Sequence, residues 1–414
     1  MINANMCIQP VTTRKVLLLI FVLVSQLGAA AQQPLKSSQY RYISPQASDD
    51  GIKTSNLKKA GLDEGTIIAG VEAIRGGTYP NIHSILIFHD GKLVLEEYFT
   101  GDDVERGGGP LGVVKHSRET LHDLRSVTKS VVALGVLIAH AQGKIKNLDQ
   151  PIFDFFPEYA RHADEAKKQI TVKHVLSMSA GLFWDEDVPY TDPTNSEIQM
   201  NRSSDPIDYV LSQKLIVKPG TVWNYSGGCT QLLAAIIKSA TGSEADIYVE
   251  KNLFTPLGIT KYRWAKTRSG HPSAASGLRL RSRDMAKVGL LLVNNGKWNG
   301  KRILPEDLVA EAMAEHSRFE YPEGRKKGVV EGYGYQMWHP TFPVEGGRFA
   351  LVAFAGNGGQ RVEIDRENKA MLVVTAGNYD KPVSRSSSQI YEDIVYPAIL
   401  RKATRNRGKE TAKD

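Results

Sequence analysis

Apolar and polar positions along the chain fall into successive regimes. The stretch SILIFHDGKLVLEEYF, beginning at Ser84, carries two β-rich runs around Asp90-Gly91. That dipeptide suits the positive φ angles of a tight turn, so the stretch predicts a β-hairpin. From Ser126 to about Thr267 the apolar residues recur at spacings of three and four, in VVALGVLIAHA, VKHVLSMSAG, PIDYVLSQKL, CTQLLAAIIKSATG and ADIYVEKNLFTPLG. These segments predict helices, most of them stopped by Gly or Pro. The interval Phe183 to Pro206 has no steady period and predicts a long loop, a feature that in a compact domain is often functional. After a further helix, SRDMAKVGLLLVNN, strand patterns return in GYGYQMW, RFALVAFAG, QRVEID and KAMLVVTAG, and QIYEDIVYPAIL reads as a closing helix. Strands at both ends with helices between them predict an α/β fold of the α+β kind. It has one largely antiparallel sheet built from both chain ends, flanked by helices, and an inserted helical subdomain at about 130–270.

The N-terminus has another character. Arg14 and Lys15 precede an apolar run from Val16 to Leu27, followed by Ala29-Ala30-Ala31. Basic, apolar and small segments in that order predict a secretory signal over residues 1–31. The run is shorter than the ~20 residues a membrane span needs. The expectation is therefore an exported protein, periplasmic or secreted, with no stable membrane insertion after cleavage. Residues 32–62 are polar and Ser-rich and read as a leader, 63–400 as the folded domain, and 401–414 as a basic disordered tail.

Composition sharpens this only in part. The 414 residues are 41% hydrophobic and 23% charged, enough for a large core. The net charge of +7 suggests an acidic partner until it is located: the signal holds two bases and no acids, the tail six bases and two acids. The body between them is nearly neutral, which argues against nucleic acid binding. Cys229 would be the single cysteine of the mature chain, so no internal disulfide is expected, and it reads as a packed helix residue.

Candidate chemistry centres on DLRSVTKSVVALG, beginning at Asp123. Ser126 and Lys129 stand three apart at the start of an apolar helix, hence on one face. Serine there could simply cap the helix. A capping serine favours Glu or Gln three places on, however, and lysine has the wrong sign for the helix dipole. The alternative is a nucleophile whose proton is taken by a lysine with a pKa lowered by burial and by the helix N-terminus. A second S-x-x-K, Ser55 to Lys58, lies in a polar segment without that context. Tyr225, on a turn before another apolar helix, could relay protons beside the lysine or be a packed aromatic. Asn357-Gly358-Gly359, between two strand patterns, could be a hairpin turn or a strand edge where substrate meets the backbone. No G-x-S-x-G, H-E-x-x-H, paired C-x-x-C, P-loop or G-x-G-x-x-G occurs. His89, His116, His122 and His174 show no ligand spacing and read as surface or satisfied structural residues. The acids of WDED, Asp185 to Asp187, read as a solvated loop. Neither metal nor cofactor is expected.

S-x-x-K opening a helix, a tyrosine about a hundred residues on, and a Gly-rich strand near the C-terminus together resemble the serine β-lactamase and penicillin-recognising family. Within it they resemble the class C-like branch, which includes esterases and 6-aminohexanoate-dimer hydrolases. GKIKNLDQPIFDFFPEY, ITVKHVLSMSAGL, LRLRSRDMAKVGLLL, YGYQMW and GNGGQR support the likeness from about Ile82 to Leu400. It implies that Ser126 is the acylated nucleophile, Lys129 its base or proton relay, and Tyr225 the tyrosine of a Y-x-N motif. The backbone N–H groups of Ser126 and Gln360 would form the oxyanion hole. Two departures stand out: Gly227 replaces the motif's Asn, and Asn357-Gly358-Gly359 replaces K-T-G or H-x-G. A lysine there would pair with a β-lactam or D-Ala carboxylate, which asparagine cannot do; Arg361 could compensate if it pointed into the cleft. Trp184 and Tyr190 would line an acyl pocket.

These features lead to an exported serine hydrolase cleaving a small-molecule ester, amide or peptide through a Ser126 acyl-enzyme. The alternatives are a β-lactamase or D-Ala-D-Ala peptidase acting on cell-wall peptides, and a catalytically silent binding module of the same fold.

Overall fold

The structure, a computed structural model, describes residues 40–320, 329–345, 347–383 and 385–400. The expected signal, the first part of the leader and the basic tail lie outside the described residues. The principal sheet has eight strands among the described residues. In spatial order they are Ser317–Glu320, Val330–Tyr333, Trp338–His339, Val352–Gly356, Gln360–Asp365, Ala370–Ala376, Ile82–His89 and Lys92–Tyr98. Every pairing is antiparallel, and Ile82–His89 lies between its hairpin partner and Ala370–Ala376, so the two ends of the chain are zipped into one sheet. The hairpin turn has the positive φ angles its sequence requires, 47° at Asp90 and 69° at Gly91.

Both faces of this sheet are covered. Leu86 and Phe88 join one hydrophobic core while Ile85 and Ile87 join a second, as strand alternation demands. Met371 and Val373 are likewise divided from Leu372 and Val374. That is why these strands read as continuous apolar runs rather than alternating ones. The first core holds the helical region, with Val127–Ala141 at its centre. Gly135 lets this helix approach its neighbours: a Cβ there would lie 2.8 Å from Val249 Cγ2 and 3.1 Å from Ile237 Cδ1.

Two expectations need correction. The polar leader does not run to residue 62, because Leu57 and Leu62 are buried in the second core and the Tyr42 hydroxyl donates to the Val94 carbonyl at 2.8 Å. Nor is 183–206 loop throughout: Asn195 caps a helix, Ser196–Arg202, by accepting from the Glu197 and Ile198 amides.

Candidate active site

The segment entering the central helix is tightly prescribed. His122-Asp123 pairs with Arg279-Leu280, and Arg125 then takes φ 49°, a left-handed conformation costly for a residue with a Cβ. The Thr128 hydroxyl donates to the Arg125 carbonyl at 2.6 Å and fixes that bend. Ser126 follows at the N-cap position, yet its side chain makes no capping hydrogen bond. Its Oγ is instead 3.2 Å from Lys129 Nζ. The competing Ser55-to-Lys58 motif has no such arrangement; Asn56 caps the short helix there.

Lys129 is only 1% exposed and its ammonium is enclosed. It donates to the Ala275 carbonyl at 3.0 Å, lies 3.7 Å from Glu197 Oε2, and sits 4.9 Å from the centre of the Tyr225 ring. Burial pushes its pKa down, as the sequence suggested, but the Tyr225 oxygen and the Glu197 and Glu186 carboxylates outweigh burial and hold it above the usual lysine value. The expected depressed lysine is thus replaced by a held cation, because two carboxylates far away in sequence converge on it. Tyr225 is in contact with both Ser126 and Lys129. Burial raises its phenol pKa and the carboxylates add to this, against the pull of Lys129 and the Ser126 hydrogen bond.

The two carboxylates are the part of the site that sequence reasoning missed. Glu197 comes from the Ser196–Arg202 helix and is buried; its Oε1 accepts from the Ser276 hydroxyl at 3.0 Å and from Arg106 Nη2 at 3.3 Å. Burial alone would raise its pKa, but Lys129 and Arg106 hold it low and ionised. Glu186, within the WDED stretch, turns inward rather than to solvent. It accepts from the Trp184 indole at 2.5 Å, the Tyr190 hydroxyl at 2.9 Å and the Gly227 amide. Burial and the neighbouring Glu197 charge raise its pKa, and a hydrogen bond joins the two carboxyl groups. One proton shared between them satisfies both directions.

This pair explains Gly227. A Cβ at that position would lie 2.7 Å from Glu197 Oε2 and 3.2 Å from Glu186 Oε2. The space an asparagine side chain would take in Y-x-N is occupied by carboxylate oxygens. Gly227→Ala is therefore expected to lower stability by about 1–3 kcal/mol and to reduce turnover, checked by thermal unfolding and by rate in the same preparation.

Other expected residues are placed differently. Trp184 is buried and edge-on to Tyr209 at 6.2 Å, and its indole donates to Glu186, as does the Tyr190 hydroxyl. Asn357 faces Asp380, donating through Nδ2 at 2.5 Å and accepting from the Asp380 amide at 3.0 Å. Gly358 and Gly359 have φ 88° and 102° and form the tight turn into Gln360–Asp365. This turn abuts the nucleophile segment, since a Cβ on Gly356 would lie 2.3 Å from the Leu124 carbonyl oxygen. Gln360 is fully buried, its side-chain amide donating to Ala376 and Asn357 carbonyls at 2.7 and 3.2 Å, which fixes the backbone beside the turn. Arg361 lines a groove with Gly358, Gly359, Asn378 and Asp380. Cys229 is buried, as expected, and burial pushes its thiol up to about 12. Beside Tyr225 stands an aromatic wall: Trp338 at 5.3 Å from its ring, and Trp223 stacked on Phe319 at 4.0 Å.

An S-x-x-K serine meeting a tyrosine at the junction of an antiparallel sheet and a helical region defines the class, and comparison with known proteins agrees. The family model for Beta-lactamase matches residues 72–391, and the chain belongs to that family of serine hydrolases. A 6-aminohexanoate-dimer hydrolase of Paenarthrobacter ureafaciens is 28% identical over 275 residues, 61% of this chain and 65% of that protein. The chain spans less than two thirds of the length of such curated relatives. Among solved structures, a candidate 6-aminohexanoate-dimer hydrolase from Bacillus anthracis superposes with TM-score 0.63, 20% identity and 88% coverage of both chains. A family VIII carboxylesterase gives 0.60 and 17%, covering 84% of this chain and 98% of its own. At these identities both show the fold.

Proposed function

We propose that this protein is an exported serine hydrolase that cleaves a small ester or linear amide through an acyl-enzyme on Ser126. The observation that carries the reading is Ser126 Oγ, free of any capping bond, held 3.2 Å from a buried lysine and beside a tyrosine hydroxyl. In this reading Tyr225 reacts in its ionised form, and Ser126 attacks the carbonyl carbon as its own proton moves to that phenol oxygen. The ammonium offsets the negative charge on the phenol oxygen. The backbone N–H groups of Ser126 and Gln360 receive the oxyanion, and the proton passes to the departing alcohol or amine. Water then releases the acyl group by the same steps in reverse. Trp223, Phe319 and Trp338 offer an apolar surface next to Tyr225 for the acyl chain.

Two observations favour esters and linear amides over β-lactams and D-Ala peptides. Asn357 is engaged with Asp380 and carries no charge for a substrate carboxylate, and the position of the motif's amide is filled by Glu186 and Glu197. The amide-hydrolase relative and the carboxylesterase fold neighbour support the same choice. The test is a panel of p-nitrophenyl esters, a 6-aminohexanoate dimer, nitrocefin and a D-Ala-D-Ala peptide. The expected kcat/KM for the best ester or linear amide exceeds that for nitrocefin by about 100-fold or more, the scale set when a charged substrate group is left unpaired. Faster hydrolysis of nitrocefin or the D-Ala peptide would reverse the assignment.

A further inference from the structure

Beside the strand that leads into Ser126, four chain segments bring together His83, Asp103, His116 and His122. Their exposures are 0%, 2%, 5% and 1%, and one ligand-capable atom from each lies within 4.8 Å of all the others. The hydrogen bonds around them leave the cluster unsatisfied. His122 Nδ1 donates to the Asp123 carbonyl at 3.0 Å, which places its lone pair on Nε2. His83 Nε2 donates to Asn81 Oδ1 at 3.1 Å, and the orientation of Asn81 is set by its Nδ2 donating to the Asp102 carbonyl at 2.8 Å. The lone pair of His83 therefore lies on Nδ1. These two nitrogens, His83 Nδ1 and His122 Nε2, face each other at 2.8 Å, two acceptors with no proton assigned between them. His116, stacked on His83 at 3.8 Å, has a buried Nε2 with no hydrogen-bond partner among the described residues. Asp103 Oδ1 completes the group at 3.8 Å from His122 Nε2, while accepting from the Val104 amide at 2.8 Å and from the Tyr379 hydroxyl at 3.4 Å.

We propose that His83, Asp103, His116 and His122 bind a divalent transition-metal ion, zinc above all, in a closed four-coordinate site. A cation between His83 and His122 turns two opposed lone pairs into two ligands and gives the other two side chains a shared partner. Three imidazoles and one carboxylate are a donor set zinc accepts. Behind the ligands stand the partners such sites use, a carbonyl on His122 and an amide oxygen on His83, each fixing the tautomer that frees the other nitrogen. Nearby positive charge is already answered: Arg279 pairs with Glu105 and Asp123 at 2.8 and 3.2 Å, and Arg125 with Asp123 at 3.3 Å. Four protein ligands leave no position for a hydrolytic water, so the ion's role is structural. It ties the sheet at His83 to the segment that runs from His122 to Ser126, and so holds the nucleophile's backbone against the hairpin at Gly356.

The alternative that satisfies the same atoms is a proton shared by His83 and His122 with Asp103 as counter-ion. The two are separated by titrating the chelator-treated, folded protein with zinc and with cobalt(II). The proposal expects one ion per chain, a visible cobalt spectrum of the intensity typical of four-coordinate sites, and a higher Tm with zinc. His116→Phe, which keeps a ring in the stack, and Asp103→Asn should each weaken cobalt binding by about 100-fold or more. Folded wild-type protein that takes up no stoichiometric ion, or His116→Phe and Asp103→Asn variants that bind as well as wild type, would overturn it.

Discussion

Ser126→Ala is expected to lower turnover of any substrate by about 10⁴-fold or more while leaving the fold intact, because loss of an acylated nucleophile removes the covalent route altogether. The side chain makes no capping bond, so its removal should change stability by about 1 kcal/mol or less. Ser55→Ala, in the other S-x-x-K motif, should leave the rate unchanged. Measurement of kcat/KM together with urea unfolding for wild type and both variants checks this. A Ser126→Ala protein within 10-fold of the wild-type rate would show that chemistry occurs elsewhere.

Lys129→Met should have nearly as large an effect on rate and a larger one on stability. The lysine supplies the cation beside Tyr225, whose loss is expected to cost about 10²–10⁴-fold in acylation. It is also the buried partner of Glu197 at 3.7 Å, and removing one side of a buried ion pair costs about 3–5 kcal/mol. Arg106 remains on Glu197, at 3.3 Å and more exposed, so the loss should fall toward the lower end. Lys129→Arg should not restore the rate, since a planar guanidinium cannot reproduce a point donor 3.0 Å from the Ala275 carbonyl and 3.2 Å from Ser126 Oγ. A Lys129→Met enzyme with wild-type acylation would remove the lysine from the chemistry.

Local patterns made much of this molecule legible. The Asp90-Gly91 turn, the period of Val127–Ala141 and the apolar C-terminal strands are set by steric and burial rules acting over a few residues, and the sheet joining both chain ends followed from their order. Lys129 stood out because it puts a cation in the first turn of the helix that Ser126 opens, where local stability does not favour one. What stayed hidden depends on contacts between distant segments. Glu186 and Glu197 lie in an aperiodic stretch where acids read as solvated, and their convergence on Lys129 reverses the expected direction of its pKa. The hydrogen bonds from Trp184 and Tyr190 to Glu186 were hidden for the same reason. His83, His116 and His122 share no motif because their proximity comes from sheet register and the bend before Ser126. Gly227 was visible as a departure from Y-x-N, and the oxygens of Glu197 and Glu186 give its physical reason.

The account rests on an activated Ser126, and the most direct test is the intact mass of the protein after exposure to a fluorophosphonate probe, beside Ser126→Ala. One adduct on the wild type that is absent from the variant is the predicted result. A folded wild type that takes up no adduct, or a variant that takes up the same one, would contradict it.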